Sequence, residues 1–244
     1  MRHVIFVIFF VIYSLFIGLM LPVFYLYEKR GLLNKKRDLS FRINQNFSKL
    51  IVQFSGCDLE VIGKEHIPQD EAVLFVGNHQ SYLDIPFLVY ALEQPIGFVA
   101  KKELAKIPII GRWIYYTDSV FIDRKDIRQS LRAINEAADT IKSGHSMVIF
   151  PEGTRSKSDE LAPFKPGSLK LAQKAKVSVI PVTTIDSYRL YEANGSRIKP
   201  GKVRIVINPP LSSTKEEGNK TMDNTMAVYQ TIKRQLNEYK IKKH

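Results

Sequence analysis

The sequence of 244 residues predicts an α/β fold: a mostly parallel or mixed sheet flanked by helices, preceded by an N-terminal membrane-anchoring helical segment. Three observations predict it. Short β-branched runs alternate with helical periodicities along most of the chain, which is the pattern of a largely parallel sheet. Several of those runs end in polar clusters, where open α/β sheets place their chemistry. Val4 to Tyr27 carries no charged residue.

Taken in order, Val4 to Tyr27 comes first. About 24 residues of helix reach roughly 36 Å, enough to cross a bilayer core with some tilt. A signal peptide is the competing reading, but the run is longer than a usual apolar h-region and no small-x-small cleavage site follows. Pro22 predicts a kink or a helix end, so a segment that dips in and returns is an alternative. Tyr25 and Tyr27 read as interface aromatics. Lys29, Arg30, Lys35, Lys36 and Arg37 follow, against Arg2 in front, which places the downstream part on the cytoplasmic side. A linker is expected near Gly31 to Asp38, with no other visible domain boundary. The division is 1–56 for the membrane-associated segment and 57–244 for the following domain.

Phe41, Ile43, Phe47, Leu50, Ile51 and Phe54 recur at helical spacing between Ser40 and Ser55, and Gly56 ends that helix. It is either a core helix or a second membrane-surface helix. Strands are expected at Asp58–Ile62, Ala72–Val76, Ile96–Ala100, Ser119–Ile122, Met147–Phe150, Val177–Val182 and Val203–Ile207. Helices are expected at Ile85–Ala91, Arg128–Ser143 and Ser168–Lys176. Ile107 to Tyr116, with Trp113, reads as a core helix, the alternative being a pocket wall. Asp223 to Lys240 reads as a closing helix with Met226, Tyr229, Ile232 and Leu236 on its apolar stripe.

Composition narrows the partners. A formal charge of +12 implies an anionic one: nucleic acid, anionic lipid or a phosphorylated substrate. Cys57 is the single cysteine, which excludes an internal disulfide framework. No zinc-type Cys/His spacing, phosphate-binding loop, dinucleotide fingerprint or Gly-x-Ser-x-Gly elbow occurs. The basic residues are not interleaved with aromatics in any nucleic-acid-binding module.

The polar clusters at strand ends are His79/Asp84, Lys101/Lys102, Asp123/Arg124 and Glu152/Arg155. His79 and Asp84 are five apart, roughly 140° around a regular helix, so their contact requires a turn. Pro86 agrees, since it prevents a helix already well established by Asp84. A carboxylate folded onto an imidazole makes a general base. The competing reading has Asp84 or Ser81 capping a helix and His79 in a polar loop. If the strands are parallel, all four clusters share one sheet edge. Cations there would bind phosphate, Arg by a bidentate fork. Gly153 would let a ligand approach the backbone, and its N–H could serve an oxyanion. Arg124 and Arg155 as surface ion pairs is the alternative.

Asn78-His79-Gln80-Ser81-Tyr82-Leu83-Asp84 resembles the His-x4-Asp block of the glycerophospholipid acyltransferases, most of all the lysophosphatidate acyltransferases. Val120-Phe121-Ile122-Asp123-Arg124 resembles their second block, Phe150 to Ser156 their third, and Val179-Ile180-Pro181-Val182 their fourth. One departure is visible: Asp118 stands where the second block often begins with Gly. The resemblance runs from about Ile51 to Pro210 and implies a membrane-associated α/β domain of the glycerol-3-phosphate acyltransferase type. It implies acyl transfer from a thioester, carried on coenzyme A or acyl carrier protein, to the sn-2 hydroxyl of lysophosphatidate. His79 and Asp84 would be catalytic. Glu152, Gly153 and Thr154 would contact substrate, Glu152 positioning the acceptor, and Arg155, Arg124 and Lys101 would hold the acceptor phosphate. No metal and no cofactor beyond the thioester co-substrate are implied. Another lysolipid or glycerol-3-phosphate as acceptor, or a non-catalytic protein that binds anionic lipid, are the alternatives.

Overall fold

The structure, a computed structural model, describes residues 1–165, 167–211 and 220–243. Two long helices lead the chain. α1 (Arg2–Lys29) continues through Pro22, so that proline does not end it, and α2 (Leu33–Ser55) follows after a short turn. The expected linker is thereby reduced to residues 30–32, because Lys35 to Asp38 already lie in α2. Gly56 closes α2 in the left-handed conformation at φ 73°, which a residue without Cβ adopts without strain.

The remaining elements alternate: β1 (Cys57–Ile62), β2 (Leu74–Gly77), α3 (Asp84–Leu92), β3 (Ile96–Lys101), α4 (Ile110–Tyr116), β4 (Val120–Ile122), α5 (Ile127–Lys142), β5 (Ser146–Ile149), α6 (Lys170–Ala175), β6 (Val179–Ile185), β7 (Gly201–Ile207) and α7 (Lys220–Lys243). The seven strands form one sheet in the order β1-β7-β6-β2-β5-β3-β4. β6, β2, β5, β3 and β4 are mutually parallel, while β7 is antiparallel to β6 and pairs in parallel with β1. The sheet is therefore parallel through its centre and mixed at one side.

Strand alternation separates two cores. Phe75 faces one, with Ile51 of α2, Phe87 and Leu88 of α3, and Ile205 of β7. Leu74 and Val76 face the other, with Ala137 and Ile141 of α5, Leu171 of α6, and Ile232 and Leu236 of α7. On α7 the stripe differs from expectation at one end. Met226 is exposed and Val228 is fully buried, two turns before Leu236 and one before Ile232.

α1 packs on α2 and α4 through aromatic contacts. Tyr13 and Phe47 lie 4.8 Å apart between ring centroids, Phe24 meets Trp113 edge-on at 5.3 Å, and the Tyr13 hydroxyl donates to the Ile43 carbonyl at 3.0 Å. Its other face leaves Val4, Ile8, Ile12, Leu15 and Leu19 exposed. Among the described residues α1 alone is long and apolar enough to cross a membrane. α2 is a core helix along the face that carries Ile43 and Ile51.

The departure at Asp118 has a physical account. Its φ is 55°, the left-handed conformation that glycine adopts most readily. Its carboxylate accepts from Lys36 Nζ at 2.9 Å and Arg37 Nε at 2.7 Å, both on α2. Burial works to raise its pKa, but the bonds from Lys36 and Arg37 outweigh it and hold the carboxyl below its ordinary value. The position keeps the backbone shape of a glycine and adds an ion-pair tie between α2 and the approach to β4.

Candidate active site

Because β6, β2, β5, β3 and β4 are mutually parallel, the segments after these five strands emerge at one edge of the sheet. The turn after β2 is fixed first. The Asn78 amide donates to the Thr184 carbonyl and accepts from the Thr184 N–H, each at 2.8 Å, which ties β2's end to β6. The chain then turns at Tyr82-Leu83 into α3, whose first residue is Asp84. Pro86 falls in that helix's first turn, where a missing N–H breaks no helical bond.

The turn brings Asp84 Oδ2 to 2.7 Å from His79 Nδ1. The same oxygen accepts from the backbone N–H groups of Gln80 at 2.7 Å and Ser81 at 2.8 Å. Oδ1 accepts from the Ser187 hydroxyl. Asp84 is fully buried, and its four donors satisfy a charge that would otherwise be expensive to bury. A carboxylate against Nδ1 places the proton there and leaves Nε2 of neutral imidazole as the acceptor. The imidazole stacks on Phe150 at 4.1 Å and 15°. Asp84 thus holds the histidine and does not merely cap a helix.

Glu152 holds the same turn from the other side. Its Oε1 accepts from the His79 N–H at 2.6 Å and its Oε2 from the Ala162 N–H at 2.9 Å. Burial pushes its carboxyl upward from the ordinary value, against the two amides that favour its ionised form. Glu152, expected to position the acceptor, is buried and does not itself line the adjoining cavity. Both its oxygens are engaged by backbone amides, and its contact is with the backbone of His79.

A cavity of 610 Å³ opens beside His79. Ile85, Val89, Phe98, Leu104, Trp113 and Ile114 give it apolar walls, and Lys101, Arg124, Arg155 and Lys165 give it cations. Gly153 and Thr154 also line it. α4 is therefore a core helix on one face and a pocket wall on the other, with the Trp113 indole N–H donating to Asn44 Oδ1 at 2.9 Å. All the expected site residues except Asp84 and Glu152 line this cavity.

Two of the expected groups have partners within the protein. The Gly153 N–H donates to the Phe150 carbonyl at 3.0 Å, so it closes a turn and is not free for an oxyanion. Gly153 sits at φ 75°, which explains the glycine independently. Arg155 is tied to a carboxylate: Nη1 donates to Glu192 Oε1 at 2.8 Å, and the guanidinium lies 3.3 Å over the Tyr82 ring. Glu192 also accepts from Ser81 Oγ at 2.7 Å and the Tyr82 N–H at 3.0 Å. Lys101 stands at the cavity's border, its ammonium 3.3 Å from Glu103 and mostly exposed. Lys102 and Asp123 pair with each other at 3.0 Å.

Ser187, Glu192 and Lys165 escaped the sequence reading. Ser187 and Glu192 follow β6, and the parallel-sheet rule that singled out the other strand ends applies there too. Lys165 carried no such signal, because it lies on a long connection after Arg155.

A family model described as Acyltransferase matches residues 58–185. The chain is 38% identical over 157 residues to the 1-acyl-sn-glycerol-3-phosphate acyltransferase of Chlamydomonas reinhardtii, covering 64% of this chain and 47% of that one. It thus spans about half the length of the algal protein. It is 30% identical over 215 residues to the probable 1-acyl-sn-glycerol-3-phosphate acyltransferase of Mycoplasma pneumoniae, covering 80% of each. It superimposes on the crystal structure of the 1-acyl-sn-glycerophosphate (LPA) acyltransferase PlsC from Thermotoga maritima with a TM-score of 0.74, at 28% identity and covering 98% of both chains. The match over residues 58–185 and the 30% identity across four-fifths of the Mycoplasma protein lead to one conclusion: the chain belongs to the acyltransferase family, alongside proteins named as 1-acyl-sn-glycerol-3-phosphate acyltransferases.

Proposed function

We propose that this protein transfers a fatty acyl group from an acyl thioester to the sn-2 hydroxyl of 1-acyl-glycerol-3-phosphate, giving phosphatidate for phospholipid biosynthesis. The observation that carries this reading is the His79–Asp84 contact of 2.7 Å beside a cavity with apolar walls and a cationic lining. A hydroxyl is a poor nucleophile at neutral pH, so a base must take its proton as it attacks. His79 Nε2 takes that proton while the hydroxyl oxygen bonds to the thioester carbonyl carbon. Asp84 stabilises the imidazolium that forms. The tetrahedral oxyanion then collapses, the carbon–sulfur bond breaks, and the imidazolium returns its proton to the departing thiolate.

The oxyanion needs a donor, and the Thr154 N–H is the amide next along the turn from the engaged Gly153. The acceptor's phosphate is held by Arg124, by Lys101, and by the Arg155 N–H groups that Glu192 does not engage. Glu152 and Asp84 act as positioning residues through the turn that carries His79. The thioester carrier is coenzyme A or acyl carrier protein, and nucleic acid is not a partner. The division of labour is residues 1–56 for membrane association and 57–244 for acyl transfer, with the catalytic part on the cytoplasmic face. The exposed apolar face of α1 and the basic residues after it support that placement.

The test is direct. Radiolabelled acyl thioester and lysophosphatidate are incubated with purified protein, and a phosphatidate spot is expected on a thin-layer plate. Glycerol-3-phosphate or another lysolipid labelled in its place would reassign the acceptor. No labelled lipid with any of these acceptors would leave a non-catalytic lipid-binding role.

A further inference from the structure

We propose that Lys165 is a further anion-binding residue, which meets the acceptor's phosphate together with Arg124. The inference rests on the acyl-transfer reading above and adds a residue that none of the four family-like blocks contains. Part of the charge within the cavity is already balanced. Four cations line it: Lys101, Arg124, Arg155 and Lys165. Arg155 is paired with Glu192 at 2.8 Å, and Lys101 lies 3.3 Å from Glu103. Neither Arg124 nor Lys165 has a carboxylate at ion-pair distance among the described residues. A phosphate monoester approaches two negative charges near neutral pH, and a single cation leaves it undercompensated once water is displaced. The two unpaired cations match that charge.

The local backbone aims Lys165 at the site. Its N–H donates to the Pro151 carbonyl at 2.9 Å, which anchors this connection to the start of the Pro151–Arg155 turn. From that anchor its side chain runs across Gly153. A Cβ at position 153 would stand 2.8 Å from Lys165 Cε and 3.1 Å from Nζ. Any side chain there would push the lysine stem away. The glycine therefore does two things: it takes the positive φ of the turn and leaves a channel for the ammonium. Its own N–H, already donated to Phe150, is not the group offered to a ligand.

An ordinary solvated lysine is the alternative, since Lys165 is exposed. Steady-state kinetics of the full chain in phosphatidylcholine micelles separates the two. Lysophosphatidate is varied at fixed thioester, then thioester at fixed lysophosphatidate, for wild type, Lys165→Met, Lys165→Gln and Lys165→Arg. The Met and Gln variants are expected to melt with the wild type and to raise the acceptor KM about tenfold, the scale of one lost hydrogen bond to a charged group. Their donor KM is expected to stay unchanged, and the Arg variant to restore most of the acceptor affinity. Inorganic phosphate is expected to inhibit the Met variant more weakly than wild type. An unchanged acceptor KM in the well-folded Met and Gln variants overturns the assignment, as does a rise in donor KM alone. A wild type that transfers nothing to lysophosphatidate overturns the functional reading instead.

Discussion

His79 and His145 are both substantially enclosed imidazoles, and they sit at opposite edges of the same parallel strands. His79 follows the C-terminal end of β2, with its Nδ1 on Asp84 and its ring beside the large cavity. His145 precedes β5 at the other edge, is 5% exposed, and its Nε2 has no hydrogen-bond partner among the described residues. Burial pushes the His145 imidazole downward in pKa. Arg37 and Lys36 work in the same direction, while Asp118 and the Thr117 backbone oppose them. Burial makes a histidine neutral and inert. A carboxylate on one nitrogen and an accessible cavity on the other are what allow it to take a proton from a substrate.

The largest effect should come from breaking the first histidine's chemistry. His79→Ala is expected to lower kcat on the order of a hundred- to ten-thousand-fold with little change in melting temperature. Asp84→Asn keeps the shape but removes the charge that favours imidazolium, and should fall in the same range, read as initial rates with saturating substrates. A smaller loss is expected from Ser187→Ala. Asp84 would keep three donors and lose one, so kcat should drop about tenfold, the scale of one hydrogen bond to a charged group. If Ser187→Ala has wild-type kcat, the loop amides alone suffice to hold Asp84.

The second histidine should show itself in stability and not in rate. A folded-state pKa below the unfolded value means that the unfolded chain binds the proton more readily. The neutral His145 form therefore contributes stability that is fully present above the unfolded value of about 6.5 and is lost as pH falls below it. His145→Gln should flatten the melting temperature between about pH 6.5 and 5, while kcat/KM at neutral pH stays close to wild type. Melting curves across that range decide; an equally steep acid dependence in the variant would remove His145 as its source.

Most of what made the fold legible was periodic. Alternation of β-branched runs with amphipathic helices implied a parallel sheet, and parallel strands necessarily bring His79, Lys101, Arg124 and Arg155 to one edge. The His79–Asp84 contact was legible because five-residue spacing and Pro86 together exclude a regular helix between them. Hydrogen bonds made by backbone groups were not legible. Nothing in Pro151-Glu152-Gly153-Thr154-Arg155 says that the Gly153 amide closes a turn, or that both Glu152 oxygens are taken by the amides of His79 and Ala162. Contacts between distant segments were hidden too. Glu192 reaches Arg155 and Ser81 across 37 and 111 residues of chain; its place after β6 puts it at the same sheet edge, but the sequence does not name these partners. Asp118 was visible as a departure, but only the structure supplies Lys36 and Arg37 as its reason.

The central claim is that the Asp84-held imidazole of His79 takes the acceptor's proton. The most direct measurement is phosphatidate formation from labelled thioester and lysophosphatidate by purified wild type, His79→Ala and His145→Gln, compared at equal folded concentration. The account predicts product from wild type and His145→Gln at similar rates, and a loss of at least about a hundredfold in His79→Ala. Near-normal turnover by a well-folded His79→Ala protein would contradict it.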